Sequence, residues 1–442
     1  MKRNRVFGLA GMSFTLAIRA VAADSGLVAH EWGTFTSVQG GDGKLVEWRP
    51  LQTSKLPGFV YDWSRAGLGR VRASQLVYGK GDVTCLQRME TPVIYFYADQ
   101  EQTVDVSVRF PKGVITEWYP QASQIGPAMV RPSAAVAKLN ILAWELGAKP
   151  TFNLSSFWHN SATMESRAAW SGVEILPAKA PADSGSSLLT DSSGSHYFAA
   201  RETDANLVRL PSLSSTNAAP ELEKFIFYRG VGNFSTPLLV QTAPGDRVTI
   251  SNSGTEALRD LFLLRVDRAA KFLHVTQLAQ GEQRTVNLEP ENGSAPVSEV
   301  SDRLARELAT ALTRQGLYPR EAAAMVKTWR DSWFEERGLR VLFVLPRAWT
   351  DRTLPLTLKP APRELVRVMV GRAEVLSPEV QDRLTQELTR AAEGDDAAKA
   401  QAQADFKTLG RFAEPAMTLA VAGKNLATSQ FAWDMLQSSR RE

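Results

Sequence analysis

The chain has 442 residues, of which 44% are hydrophobic, with a formal net charge of +4 and a single cysteine. This composition excludes disorder for most of the chain, and one cysteine excludes an intrachain disulfide. The positive excess lies within residues 1–22, because the remainder holds 47 basic and 47 acidic residues. We therefore expect no nucleic-acid partner.

The N-terminus has the pattern of an export signal. Lys2, Arg3 and Arg5 precede a mostly apolar stretch, and Ala20-Val21-Ala22 is a small-x-small cleavage pattern. This order predicts a cleavable signal peptide over residues 1–23 and a mature protein that is periplasmic or secreted. The alternative is an uncleaved N-terminal anchor. No later stretch has the roughly 20 uncharged apolar residues of a membrane span, so we expect no transmembrane segment after cleavage.

Residues 24–210 are predicted to form a β-rich N-terminal domain. A flexible loop, Gly40-Gly41-Asp42-Gly43, separates two strand-like runs and predicts a hairpin. Apolar and polar residues alternate over 104–110, which is the pattern of a strand with one face exposed to solvent. With flanking strands, residues 91–119 are predicted to form an antiparallel meander, and residues 196–200 a further strand.

Residues 211–293 are predicted to form a β-sandwich-like segment, because turn residues separate its strand-like runs at regular spacing. Residues 247–266 are the best candidate for an Ig-like sandwich half.

Residues 294–442 are predicted to form an α+β C-terminal region. Helices are predicted over 300–314 and from Pro319 to just before Gly338, and Ser377-Pro378-Glu379 has the residues of a helix start. The predicted fold class is α+β, with a β-rich, sandwich-type N-terminal half followed by a mixed, mainly helical C-terminal region.

The histidines carry few catalytic signals. His30, His159, His196 and His274 are the only ones, and none belongs to an H-E-x-x-H motif. A metal site from His30, His159 and His196 would require three distant segments to converge; the alternative is ordinary surface or core histidines. The sequence has no G-x-S-x-G nucleophile elbow, no phosphate-binding loop and no dinucleotide fingerprint, and it does not identify a cofactor. Cys85 is expected to be a buried, inert thiol.

Three Glu-Trp pairs stand on predicted strands: Glu31-Trp32, Glu47-Trp48 and Glu117-Trp118. Consecutive strand residues face opposite sides, so one member of each pair faces the core. Tryptophan buries the larger area, which favours inward indoles and outward carboxylates paired with arginines. Outward indoles, the alternative, would form a platform for stacking sugars.

Further candidate binding residues are charged. Arg88 and Glu90 lie two apart on one strand face and, beside Glu117, predict a buried ionic cluster or else a solvated rim pair. Tyr228 and Arg229 precede a glycine-containing corner of the chain. The glycine there either lets the backbone approach a ligand or only permits a tight turn. The full set of candidate binding residues is His30, Glu31, Trp32, Arg88, Glu90, Glu117, Trp118, Tyr228 and Arg229.

Several strings resemble those of a group of uncharacterised exported bacterial proteins with an HEWGTFT motif, and the likeness extends over nearly the whole mature chain. The strings are HEWGTFT at 30–36, RMETPVIYFY at 88–97, ITEWYP at 115–120, FYRGVG at 227–232 and WRDSWF at 329–334. The resemblance implies an exported bacterial protein and supplies no catalytic residue.

Two functions are compatible with these features. The first is an exported binding or envelope-associated protein whose ligand is a glycan, an envelope component or another protein. The second is a hydrolase, with or without a metal ion, that acts on an extracellular or envelope substrate with His30, Glu31, Glu90 and Glu117 in its site. Paired carboxylates catalyse glycosidic hydrolysis only at a defined separation, which spacing in the sequence does not supply.

Overall fold

The computed structural model describes most of the chain, with gaps. The described residues are 26–51, 56–62, 83–126, 152–153, 166–177, 188–192, 194–213, 219–288 and 295–439. The predicted signal peptide at 1–23 and His159 lie outside them.

The strands, in chain order, are β1 Val28–Gly40, β2 Leu45–Val46, β3 Tyr61–Asp62, β4 Val83–Thr84, β5 Gln87–Tyr97, β6 Gln102–Phe110, β7 Gly113–Tyr119, β8 Gln124–Gly126, β9 Phe152–Asn153, β10 Ser166–Ile175, β11 Val208–Leu210, β12 Glu221–Glu223, β13 Ile226–Gly232, β14 Leu238–Ala243, β15 Arg247–Asn252, β16 Leu258–Val266, β17 Ala270–Leu278, β18 Gln283–Asn287, β19 Gly338–Val344, β20 Leu356–Lys359 and β21 Glu364–Leu376. The α-helices are α1 Val297–Arg314, α2 Pro319–Arg330, α3 Arg347–Thr353, α4 Pro378–Ala392, α5 Asp396–Leu409, α6 Ala413–Ala420 and α7 Leu426–Ser439.

A ten-stranded sheet forms the centre of the described structure. Nine of its strands run in the order β17-β16-β19-β21-β1-β5-β13-β7-β3, and β2 pairs with β1. Strand β1 pairs in parallel with β21 along all 13 of its residues and antiparallel with β5. The predicted boundaries at 210 and 293 do not separate the sheets, because the central sheet takes strands from all three predicted segments.

The two faces of the central sheet pack on different layers. Alternate residues of β1, such as Phe35, share a core with the six-stranded sheet β12-β11-β10-β6-β20, which β8 joins, and with the three-stranded sheet β14-β15-β18. Trp32, on the opposite face, packs with Leu304 of α1 and Met325 of α2. A sheet with apolar side chains on both faces needs a layer on each side. The α+β class is confirmed, with strands concentrated in the N-terminal half and helices in the C-terminal part.

Helices α4 to α7 form a separate layer, the C-terminal lobe, at one end of the central sheet. Its core contains Leu384, Phe406 and Phe412, which pack against Val38 and Trp48 from the start of the chain. The predicted helix start at Ser377 is confirmed: Ser377 is the N-cap and Pro378 the first residue of α4.

The predicted meander over 91–119 is wrong. Strand β6 lies in the six-stranded sheet beside β10 and β20, whereas β5 and β7 lie in the central sheet with β13 between them. The difference follows from solvent exposure. Residues of β6 alternate between buried and more exposed positions, whereas β5 and β7 are almost wholly buried. A strand with one wet face belongs to an outer layer.

Two further predictions are corrected. Residues 196–200 do not form a strand but part of a 3-10 helix, His196–Arg201, where the Ser195 hydroxyl accepts a hydrogen bond from the Tyr197 amide. Residues 247–266 do not form one sandwich half, because β15 belongs to the three-stranded sheet and β16 to the central sheet. Among the described helices, none is long and apolar enough to cross a membrane.

Candidate functional site

Charged side chains lie in a row on the helix-facing side of the central sheet. Thr36 on β1 is the register partner of Arg88 on β5 and of Arg372 on β21. Register partners on neighbouring strands point their side chains to the same face. The two guanidinium groups therefore flank Thr36, and both arginines are at least 94% buried. Buried charges require partners of opposite sign.

These partners form an alternating series that we call the ionic chain. In order, its members are Arg88, Glu90, Arg411, Glu336, Arg372, Glu374 and Arg340. Glu90 Oε1 lies 3.1 Å from Arg88 Nε and accepts a 2.7 Å hydrogen bond from Arg411 Nη1. Glu336 Oε1 lies 3.8 Å from Arg411 Nε.

The far half of the ionic chain is more tightly bonded. Arg372 Nη2 donates to Glu336 Oε2 and to Glu374 Oε2, each over 2.7 Å. Arg340 Nε donates to Glu374 Oε2 over 3.0 Å. Since the ionic chain begins and ends on arginine, four guanidinium groups face three carboxylates and one positive charge is left over.

A β-bulge shapes β5 where the ionic chain starts. Trp32 pairs with Val93 and Thr34 with Glu90, so Gly33 alone stands opposite Thr91 and Pro92. A Cβ on Gly33 would lie 2.9 Å from Pro92 Cα, which explains the glycine. Thr91 has a φ of 51°, an uncommon conformation for a residue with a side chain. Bulges redirect side chains, and Glu90 and Thr91 both line the same cavity.

A second bulge lies beside Arg229. The register between β13 and β7 shifts between Arg229 and Gly230, and a Cβ on Gly230 would lie 2.1 Å from the Val114 carbonyl oxygen. Arg229 donates to both carboxylate oxygens of Glu117, from Nε and from Nη2, over 2.8 Å each. Glycine thus allows the close strand contact next to this ion pair.

The ionic chain opens into a cavity of about 670 Å³, which we call the arginine pocket. One wall is the central sheet with Arg88, Glu90 and Arg229. A second is the end of α2 and the following π-helical turn, Asp331–Glu335, and the third is the C-terminal lobe. The last two walls contribute Trp329, Ser332, Lys407 and Arg411.

Arg88 is buried next to other positive charges. Burial, together with the nearby Arg229 and Arg411, lowers the pKa of Arg88 to about 9, against the opposing effect of Glu90. Burial also lowers the pKa of Arg229 to about 10. Arginine keeps its proton in proteins, so these shifts express the cost of burying the guanidinium charges. Arg229 offsets that cost with its two hydrogen bonds to Glu117.

Glu90 is in the opposite situation. Burial alone would raise the pKa of its carboxyl, but four guanidinium groups outweigh burial and hold that pKa below its usual value. The four belong to Arg411, Arg88, Arg372 and Arg229. Glu90 is therefore a firmly ionised carboxylate at neutral pH.

Polar atoms at the pocket lack hydrogen bonds. Within the described part of the chain, no hydrogen bond forms at Arg88 Nε, Arg411 Nε, Arg411 Nη2 or Glu90 Oε2, and all four atoms are buried. A buried polar group without a partner costs about 1–3 kcal/mol. The arginine pocket thus combines surplus charge with unused donors and one unused acceptor, which are the properties of a ligand site.

No protein-family model matches the chain. Nor does any curated protein match it. The resemblance to exported bacterial proteins with the HEWGTFT motif therefore stays a prediction.

Glu31 and Tyr228, two further sequence candidates, lie on the other face of the central sheet. Arg367 Nε donates to Glu31 Oε2 over 2.5 Å, and the Tyr228 hydroxyl donates to Glu31 Oε1. Arg367 also donates to Asp351 Oδ1 over 2.7 Å and to the Leu354 carbonyl over 2.6 Å. This cluster is well bonded and joins β1, β13 and β21 in the core between the sheets.

His30 is part of a helix anchor. Its Nδ1 lies 2.8 Å from Glu321 Oε2, and the Tyr97 hydroxyl donates to Glu321 Oε1 over 2.7 Å. The Tyr318 amide also donates to Glu321 Oε2, over 2.7 Å, at the start of α2. His30 and Glu321 are fully buried, so their contact ties α2 to β1.

The four residues of the hydrolase hypothesis do not gather in one site. His30 and Glu31 are consecutive on β1 and point to opposite faces, and of the four only Glu90 lines the arginine pocket. His196 lines the pocket from an exposed position, while His159 lies outside the described residues. Among residues with described placement, no group of three or more His, Cys, Asp or Glu side chains is arranged to hold a metal ion.

The three indoles of the Glu-Trp pairs are core residues. Trp32, Trp48 and Trp118 are at most 1% exposed, in agreement with the favoured inward orientation. Only Glu47 is exposed as expected, whereas Glu31 and Glu117 are buried beside arginines. A sugar platform made of these three indoles is therefore excluded.

Sequence reasoning missed most of the pocket's remote residues. Arg372 and Glu374 stand two apart in an apolar strand, the same signal that identified Arg88 and Glu90 on β5. Trp329 lies inside one of the strings that carry the resemblance. Arg411 had no local signal, because it follows a helix in a region of ordinary polar residues.

Proposed function

We propose that the protein is an exported binding protein, periplasmic or secreted, whose ligand occupies the arginine pocket. The observation that carries the proposal is Arg88, a side chain exposed by only 8% that lines the cavity and makes no hydrogen bond within the described residues. The cavity of about 670 Å³ falls in the usual size range of small-molecule sites.

The charges around the pocket favour binding over acid catalysis. A general acid near neutral pH needs a raised pKa, whereas surrounding guanidinium groups hold the pKa of Glu90 low. Glu336 likewise has a lowered pKa, because Arg372 and Arg411 outweigh its burial. Both carboxylates are suited to holding arginines in place and to accepting hydrogen bonds.

Export is the part of the proposal that rests on sequence. The signal predicted at 1–23 supports it, as does the resemblance to exported bacterial proteins. Fractionation of cells that express the full chain tests it: we expect a shortened protein in the periplasm or medium, and a full-length cytoplasmic protein would contradict export.

Binding is tested by the thermal unfolding of residues 24–442 with a panel of neutral oligosaccharides, uronic-acid oligomers, inorganic phosphate and divalent cations. A ligand of the native state raises the unfolding midpoint by mass action. We expect at least one compound to do so in the wild type but not in Lys407→Glu, since Lys407 is an exposed residue of the pocket wall. A panel without effect, or an equal rise in the variant, would contradict the proposal.

A further inference from the structure

We infer that the ligand of the arginine pocket is an acidic saccharide, bound through a carboxylate on one of its sugar rings. The inference rests on the proposed function, because it assigns a chemical class to the ligand of that same pocket.

The carboxylate follows from the unused guanidinium donors. Arg88 has five N–H groups and, in the described structure, only an ion-pair contact with Glu90 at 3.1 Å. Arg411 uses Nη1 for Glu90, while Nε and Nη2, which form one edge of its planar group, make no hydrogen bond. Guanidinium edges match the two oxygens of a carboxylate in parallel hydrogen bonds.

The carboxylates already present limit the charge of the one ligand group that contacts Arg88 and Arg411. Glu90 and Glu336 both line the pocket, and Glu336 Oε1 lies 3.8 Å from Arg411 Nε. The ionic chain has one surplus positive charge, which a singly charged carboxylate neutralises. A phosphate dianion would overcompensate that surplus and meet two ionised glutamates at close range, and like charges at short distance repel strongly.

The saccharide follows from two other features of the wall. Glu90 Oε2 is a buried acceptor without a partner and so requires a donor such as a ligand hydroxyl. Trp329 lines the cavity, and its indole stacks on the buried Trp333 with ring centroids 6.1 Å apart and planes 19° apart. An indole fixed in this way offers an apolar surface to the C–H face of a sugar ring. Carboxylate, hydroxyl and ring face together are the groups of a uronic acid.

The test is calorimetric titration of residues 24–442 with four probes: trimers of galacturonic acid and of glucuronic acid, a neutral galactose trimer and inorganic phosphate. We expect one of the uronic-acid trimers to bind at least tenfold more tightly than the galactose trimer and phosphate. We also expect Arg88→Gln to weaken that binding at least tenfold. The matched control is Arg284→Gln, an exposed arginine on β18, which should bind like the wild type.

If Arg88→Gln fails to fold, Lys407→Glu serves instead, because its side chain is exposed. Equal or tighter binding of the galactose trimer or of phosphate, lost in Lys407→Glu, would overturn the acidic saccharide and leave the proposed binding function intact. Binding of no probe would also overturn the inference, whereas the proposed function would then be decided by the wider thermal panel.

Discussion

Arg411 in the C-terminal lobe donates from Nη1 to Glu90 Oε1 on β5 over 2.7 Å, although the two residues are 321 positions apart. Arg411 lies in the 3-10 turn Gly410–Phe412, between α5 and α6. The same side chain therefore holds the lobe against the sheet and supplies part of the positive charge of the arginine pocket. It follows that the pocket is complete only when the lobe is docked.

Loss of Arg411 should destabilise the fold. We expect Arg411→Leu to lower the free energy of unfolding by about 3 kcal/mol, because removal of one partner of a buried ion pair leaves charge uncompensated. Arg390→Leu is the matched control, since Arg390 pairs with Asp395 on the surface, where such pairs contribute about 0–1 kcal/mol. Urea unfolding measures both, and equal losses in the two variants would contradict the role given to Arg411.

Stability should fall on the acid side. The pKa values of Glu90 and Glu336 are lowered in the folded protein, so their contribution is fully present above the unfolded glutamate pKa of about 4.3. It is lost as the pH falls through the lower, folded values. We expect the thermal midpoint to drop steeply below about pH 4.3, and less steeply in Glu90→Gln. Parallel curves for both proteins would argue against this coupling.

The pair of Glu31 and Arg367 is expected to be structural. Arg367→Met leaves the Glu31 carboxylate buried without its ion-pair partner and should cost about 3–5 kcal/mol of unfolding free energy. Adding Glu31→Leu removes the unpaired carboxylate from the core, so the double variant should be more stable than Arg367→Met alone. Chemical denaturation tests this order, and a double variant less stable than Arg367→Met would refute it.

Gly230 should not tolerate a side chain. The Cβ of Gly230→Ala would lie 2.1 Å from the Val114 carbonyl oxygen, so β13 and β7 would have to separate, at a cost of about 1–3 kcal/mol. Gly126→Ala is the control, because no atom lies within 4 Å of the Cβ position at Gly126. Thermal unfolding of the two variants gives the comparison, and an unchanged midpoint for Gly230→Ala would contradict the close contact.

Cys85 should be unreactive in the native protein. Burial raises the pKa of its thiol, and Sγ donates to the Gln87 carbonyl over 3.2 Å. Since the thiolate is the reactive form, a thiol reagent should label Cys85 only after unfolding in denaturant. Rapid labelling of the folded protein at neutral pH would show that the thiol is accessible.

Local patterns predicted the elements that depend on local physics. The starts of α2 at Pro319 and of α4 after Ser377 were correct, because the residues that begin a helix act within a single turn. The shared face of Arg88 and Glu90 was correct because side-chain direction in a strand has a period of two.

The sequence patterns did not predict which strands pair when they are far apart in the chain. The meander over 91–119 was wrong because neighbours along the chain belong to different sheets. The parallel pairing of β1 with β21 joins residues 336 positions apart, from Val28 with Glu364 onwards. The pocket was found only on its β5 and β13 side, since no local pattern shows that Arg411 meets Glu90. Such contacts depend on how layers pack and not on the residues next to them.

The most direct test of the arginine pocket as a ligand site is hydrogen–deuterium exchange with and without a saturating concentration of whichever uronic-acid trimer, galacturonic or glucuronic, binds more tightly. We predict slower exchange in peptides that cover 328–336 and 407–411, which form two walls of the pocket. We predict no change in β14 and β15, which lie in the separate three-stranded sheet. Unchanged exchange in both wall segments, or protection confined to other parts of the chain, would contradict the assignment.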